Sequence, residues 1–174
     1  MATKRKKKLE IISVDTNFWI YHLEGHPAYS PITQVALKNW LINNTSVIIS
    51  PLTLTECLVL PLKKNSPSVV HAYHQLFNLP IVKIKDFTAQ IATIAAQVRA
   101  KYDINTPDAI HLATAIHHQA SFFISNDLRL KKVKEIPIVN FSSLSTSLRS
   151  SLQTQSNNPK QIPSLATKIS QYNP

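Results

Sequence analysis

The chain has 174 residues, 44% of them hydrophobic, which is enough for one domain with a real core and short for two. Its single cysteine, Cys57, excludes an intramolecular disulfide and any zinc site built on several cysteines. The formal net charge is +10, but Lys4-Arg5-Lys6-Lys7-Lys8 and the late Arg149, Lys160 and Lys168 carry most of it, so that residues 9–141 hold eleven basic and nine acidic side chains.

Residues 1–8 read as a solvated basic terminus that attracts polyanions with little sequence preference. The apolar run from Leu9 to Val14 is too short for a secretory signal or a membrane helix, and with one cysteine the expected setting is cytoplasmic, with no membrane attachment. Ile11-Ile12-Ser13-Val14 predicts a buried strand ending at Asp15, followed by a short helix over Thr16 to Glu24 that Gly25 breaks. Val35, Leu37, Trp40 and Leu41 share the inward face of the next helix. Val47-Ile48-Ile49 is a second strand. Ser50-Pro51 opens a helix through Glu56 and Val59, which Pro61 ends or kinks. Pro67 opens another helix, and Ile81–Ile84 is a third strand.

A long amphipathic helix follows over 86–102. Thr106, as cap, with Pro107 and Asp108 starts one that runs to about His118. Phe122–Ser125 is a fourth strand and Pro137–Val139 a short fifth. Apolar strands alternating with helices predict a parallel sheet covered on both faces. From 142 onward the composition turns to Ser, Thr, Gln, Asn and Pro, which predicts a mostly disordered polar tail over 142–174, with a helical turn near Leu148, beyond a folded domain at 9–141.

Four of the nine acids fall where an α/β site gathers its ligands. Asp15 follows strand one, Asp127 follows strand four, Glu56 is early in the helix after strand two, and Asp108 opens the helix before strand four. Carboxylates that converge must take up protons or share a cation, and hard oxygen ligands select Mg²⁺ or Mn²⁺. That chemistry serves phosphodiester hydrolysis by water. Each acid also has a plainer reading. A helix N-terminus favours Asp108 whatever its role, Asp127 with Asn126 can simply start a turn, and Glu56 between Leu54 and Leu58 can be solvated. Asp15 is the strongest signal, because an acid ending an apolar strand is costly without partners.

Taken in order, these segments resemble a known family. Val14-Asp15-Thr16-Asn17 is similar to the opening of PIN domains, and Leu54-Thr55-Glu56 to their second-acid helix. Thr106 to Ala115 resembles the acid-led, alanine-rich helix, and Ile124-Ser125-Asn126-Asp127 the strand ending in Thr-x-Asp, with serine for threonine. The resemblance covers residues 10–141. It implies a three-layer α/β/α fold with a five-stranded parallel sheet in order 3-2-1-4-5, and Mg²⁺- or Mn²⁺-dependent cleavage of RNA with Asp15, Glu56, Asp108 and Asp127 as metal-holding catalytic acids. It also implies a VapC-like toxin held by a small antitoxin and pairing as a homodimer. The long tail after 142 departs from such toxins. Thr16, Asn17, Ser125 and Asn126 are expected to orient the carboxylates.

The seven histidines carry no ligand spacing. His117-His118 reads as surface, and His111, one turn after Asp108, as core or supporting packing. Trp19, Trp40 and Cys57 fit a core, while Tyr21 and His22 are candidate RNA contacts. An aspartyl phosphatase lacks its second acid here, since Asn17 stands in that place, and a receiver domain lacks its acid pair. The alternative from another class is a non-catalytic RNA-binding or scaffold domain of the same fold.

Overall fold

A computed structural model describes residues 10–146. The expectations for residues 1–8, for a helical turn near Leu148 and for the tail from 147 onward lie outside these residues. Five short parallel strands form one sheet: β1 (Ile11–Val14), β2 (Ser46–Ile49), β3 (Val82–Ile84), β4 (Phe123–Ile124) and β5 (Ile138–Val139). Their order is β3-β2-β1-β4-β5, as the resemblance implied, and every neighbouring pair is parallel.

Alternation along the strands sorts side chains to the two faces. Ile12 and Val14 of β1, Val47 and Ile49 of β2 and Ile124 of β4 face a core shared with α1 (Thr16–Glu24), α2 (Ser30–Asn43), α3 (Pro51–Lys63) and α4 (Pro67–Phe77). Phe123 faces the other way, into a core made with α5 (Ala89–Tyr102) and α6 (Thr106–His117). The result is three layers, α/β/α, with the sheet buried between helices on both sides. Phe18, Trp19 and Trp40 sit at the centre of the first core, with Phe18 stacked on Trp40 and edge-on to Trp19. Among the described residues no helix is long and apolar enough to cross a membrane.

Four local expectations are corrected. Of the two alternatives for Pro61, ending α3 is the one the structure overturns. The helix continues to Lys63, and the Lys64 and Ser66 N–H groups close it onto the Leu60 and Pro61 carbonyls. Leu37, Trp40 and Leu41 of α2 face the first core as expected, but Val35 is exposed and Thr33 and Ala36 turn inward instead. The cap of α6 is Asn105 rather than Thr106, its side chain accepting from the Asp108 N–H at 2.8 Å. Residues 141–146 are helical, and Phe141 and Leu144 are buried in the first core, so a boundary at 141 cuts through a packed segment.

Candidate active site

All four sequence-selected acids come to the carboxyl edge of the sheet, each half-buried. Asp15 is fixed first by backbone. Its N–H donates to the Ile124 carbonyl at 2.9 Å, which ties it to the end of β4. Its side chain caps α1, accepting from the Asn17 N–H at 3.3 Å, and also accepts from the Ser125 hydroxyl at 2.6 Å. Ser125 is itself held by its N–H on the Val139 carbonyl, and its hydroxyl oxygen accepts from the Asp127 N–H at 3.0 Å. One buried serine therefore joins the Asp15 carboxylate to the backbone that carries Asp127. The hydroxyl expected in place of the family's threonine is present and used.

Glu56 meets the same edge from the second turn of α3. Thr16, next to Asp15, donates its hydroxyl to Glu56 Oε2, and His111 Nε2 lies 3.0 Å from the same oxygen. A carboxylate only accepts, so Nε2 carries the proton. Nδ1 of a neutral ring then accepts from the Ser50 hydroxyl, 3.1 Å away. Burial pushes the Glu56 carboxyl up, but the His111 and Thr16 hydrogen bonds outweigh it and hold the group below its usual range. Ser50 and His111 are both buried. Sequence reading gave Ser50 only a capping role, yet its side chain makes no cap bond. His111 packs near the site as expected and is in addition the hydrogen-bond partner of Glu56. Its position one turn after Asp108 was the available signal.

Asp108 is different. Burial, then the charges of Asp15 and Asp127, raise its pKa despite opposing pulls from Arg129 and His111. Asp108 also lies in the first turn of α6, where the helix N-terminus favours a carboxylate, and burial and the neighbouring charges work against that. Asp127 caps the short 3-10 turn Leu128–Lys132, so the turn reading of this acid is also true. Arg129 clamps its carboxylate, Nε at 3.0 Å from each oxygen and Nη2 at 2.5 Å from Oδ2, and this hydrogen bonding holds its pKa down. Arg129 carries no signal in the sequence, because two-residue spacing on an irregular turn has no periodic signature.

Not every expected supporting residue touches a carboxylate. Thr16 and Ser125 do so by side chain, and Asn17 by its backbone alone. Asn126 does not: its Oδ1 accepts from the Phe141 N–H at 3.0 Å, because the loop turns this side chain towards the segment after β5. Tyr21 packs with His26, Tyr29 and Phe141, and the charge of Asp15 is among the causes that raise its pKa, after burial and Tyr29. Burial lowers the pKa of His22.

Among the described residues, no three His, Cys, Asp or Glu side chains stand close enough to hold one metal ion as they are now oriented. The reason is visible in two of the four acids, Glu56 being folded onto His111 and Thr16, and Asp127 onto Arg129. The donor chemistry nevertheless fits a hard divalent cation. The repulsion that Asp15 and Asp127 exert on Asp108 is what such an ion relieves.

Solved structures similar to this chain share the fold. VapBC2 from Rickettsia felis, bound to a DNA fragment from its promoter, matches with a TM-score of 0.62 at 21% identity, over 75% of this chain and 98% of that one. DNA-bound VapBC from Salmonella typhimurium matches with a TM-score of 0.60 at 20% identity, over 76% and 98%. The sarcin–ricin loop cleaving toxin VapC20 from Mycobacterium tuberculosis matches with a TM-score of 0.56 at 18% identity, over 72% and 98%. No curated protein matches the chain. The family model of the PIN domain matches residues 12–136, most of the chain and every element that carries the four acids, and the chain belongs to the PIN-domain family.

Proposed function

We propose that the chain is a Mg²⁺- or Mn²⁺-dependent endoribonuclease and the toxin of a toxin–antitoxin pair, with Asp15, Glu56, Asp108 and Asp127 as its catalytic acids. The observation that carries the reading is the gathering of the four acids at one sheet edge, where Ser125 joins the Asp15 carboxylate to the Asp127 backbone, Thr16 beside Asp15 meets Glu56, and Asp108 feels the charges of Asp15 and Asp127. Family membership and solved neighbours that are toxin–antitoxin complexes support it. On the same likeness, a small antitoxin and a second copy of the chain are its proposed partners and the cytoplasm its setting.

A bound divalent cation supplies neutralising charge, a hold on a phosphate oxygen and water of lowered pKa. Asp15, Asp108 and Asp127 would hold it, with Glu56 completing the set. The chain's own residues prepare that task. The strand end and Ser125 hold Asp15 in one orientation. Thr16 and His111 keep Glu56 ionised. The RNA strand then meets a crevice in which Asp15 and Glu56 are already held in place.

The test is cleavage of RNA by the purified full chain. Cutting with Mg²⁺ or Mn²⁺, abolished by EDTA and by Asp15→Asn, is the expected result. Cutting that survives both treatments contradicts the reading. Wild-type protein that binds RNA and never cuts it under any divalent ion selects the scaffold alternative.

A further inference from the structure

The 3-10 turn beside Asp127 opens the segment Leu128-Arg129-Leu130-Lys131-Lys132-Val133-Lys134, which holds four of the eleven basic residues between 9 and 141. Leu130 and Val133 are buried and anchor it, and all four cations are exposed. Lys132 reaches the Asp103 carbonyl, while the Lys131 and Lys134 ammonium groups make no hydrogen bond or ion pair among the described residues. This is a short cationic ridge that begins at the acid crevice, in a domain otherwise close to neutral.

Arg129 stands at the crevice end. Its guanidinium satisfies both Asp127 oxygens through Nε and Nη2, and Nη1 has no partner among the described residues. Its charge also reaches Asp108. Yet its side chain is 72% exposed, and an exposed ion pair is weak and exchangeable. A guanidinium fork matches a carboxylate and a phosphate equally well in shape.

We propose that Arg129 is an exchangeable internal counter-ion: it competes with the divalent cation for Asp127 and, once displaced, binds an RNA phosphate at the head of the Lys131–Lys134 ridge. The proposal rests on the ribonuclease reading and adds a residue that reading does not contain. Its two halves have opposite signs. Removing Arg129 frees Asp127 and strengthens metal binding, and the same change removes a phosphate contact and weakens RNA binding. A residue that only braced the turn would weaken both.

The experiment compares wild type, Arg129→Ala, Arg129→Lys and Asp15→Asn as full chains. Mn²⁺ binding is measured by calorimetry without RNA. Binding of a short single-stranded RNA is measured by anisotropy across a salt series, with Ca²⁺ in place of Mg²⁺. Arg129→Ala is expected to bind Mn²⁺ about threefold more tightly. It is expected to bind RNA roughly three- to tenfold more weakly, with a log–log salt slope shallower by about 0.7, the loss of one single-strand phosphate contact. Arg129→Lys keeps the slope and loses part of the affinity, because the charge remains and the fork does not. Unchanged or weaker Mn²⁺ binding in Arg129→Ala overturns the proposal, as does an unchanged RNA salt slope. Wild type that takes up no Mn²⁺, or takes it up no better than Asp15→Asn, instead sinks the ribonuclease reading, and the proposal falls with it.

Discussion

The acid crevice has two corners, and they handle negative charge in opposite ways. At one, Glu56 is met by a histidine and a threonine hydroxyl, both buried, and its carboxyl is held below the usual range. At the other, Asp108 has no such donors among the described residues, feels Asp15 and Asp127 and is pushed above it. Both residues enter from early turns of helices at the same sheet edge, so secondary structure does not separate them. The difference lies in what packs beside each. α6 brings His111 to Glu56 one helical turn after it has brought Asp108 to the Asp15–Asp127 side. One helix thus supplies both the acid whose pKa is raised and the donor that hydrogen-bonds its neighbour, leaving one corner satisfied by the protein's own groups and the other with excess negative charge.

The largest effect that would break this comparison is on activity at Asp15, the acid that sits between the corners. Asp15→Asn keeps the shape and the Ser125 contact, and RNA cleavage should fall about a hundredfold or more, with the thermal melt still cooperative. His111→Ala should follow, with activity down roughly tenfold to a hundredfold, since a residue that fixes a ligand is worth about that much. It should also cost about 1–3 kcal/mol of stability, because Ser50 and Glu56 each lose a buried partner. Denaturant melts together with initial rates check both numbers, and an active His111→Ala would mean that Glu56 needs no preformed corner.

Stability against pH sharpens the contrast further. A carboxyl with a lowered folded pKa contributes stability above its unfolded value and loses it as pH falls through the folded one. Glu56 is that case, so Glu56→Gln should be less stable than wild type at pH 7, and the gap should close on acidification. Asp108 has a raised folded pKa, so its ionisation costs stability at neutral pH and the cost is relieved as pH falls through that value. Asp108→Asn should therefore be more stable than wild type at pH 7, by no more than about 1 kcal/mol after solvent screening, while losing activity. Melts of both variants from pH 3 to 8 in EDTA decide it. Two gaps of the same sign would remove the distinction between the corners.

The sheet and the four acids were legible because each rests on a local pattern. An apolar run ending in Asp15, a Ser-Pro helix start before Glu56 and a capped start before Asp108 are readable from neighbouring residues alone. What escaped is long-range. The Ser50–His111–Glu56 contacts join residues up to 61 positions apart, and only packing of α3 against α6 makes them. Arg129 lies on an irregular turn with no periodicity to read. Leu144 looks like part of a polar tail until Phe141, fixed by Asn126, carries the chain back onto the first core. Truncation after 146 should accordingly leave the domain folded. Truncation after 141 should cost about 2–5 kcal/mol, the range for losing a buried leucine, and denaturant midpoints of the two proteins measure that smaller, structural effect.

The most direct test of the acid crevice is the position of Mn²⁺ located by its anomalous scattering in crystals of the protein grown with that ion. The account predicts Mn²⁺ at the carboxyl edge of the sheet, ligated by Asp15 together with Asp108 or Asp127, and absent from crystals of Asp15→Asn. An ion bound elsewhere, with the crevice still occupied only by the Arg129–Asp127 pair, would contradict it.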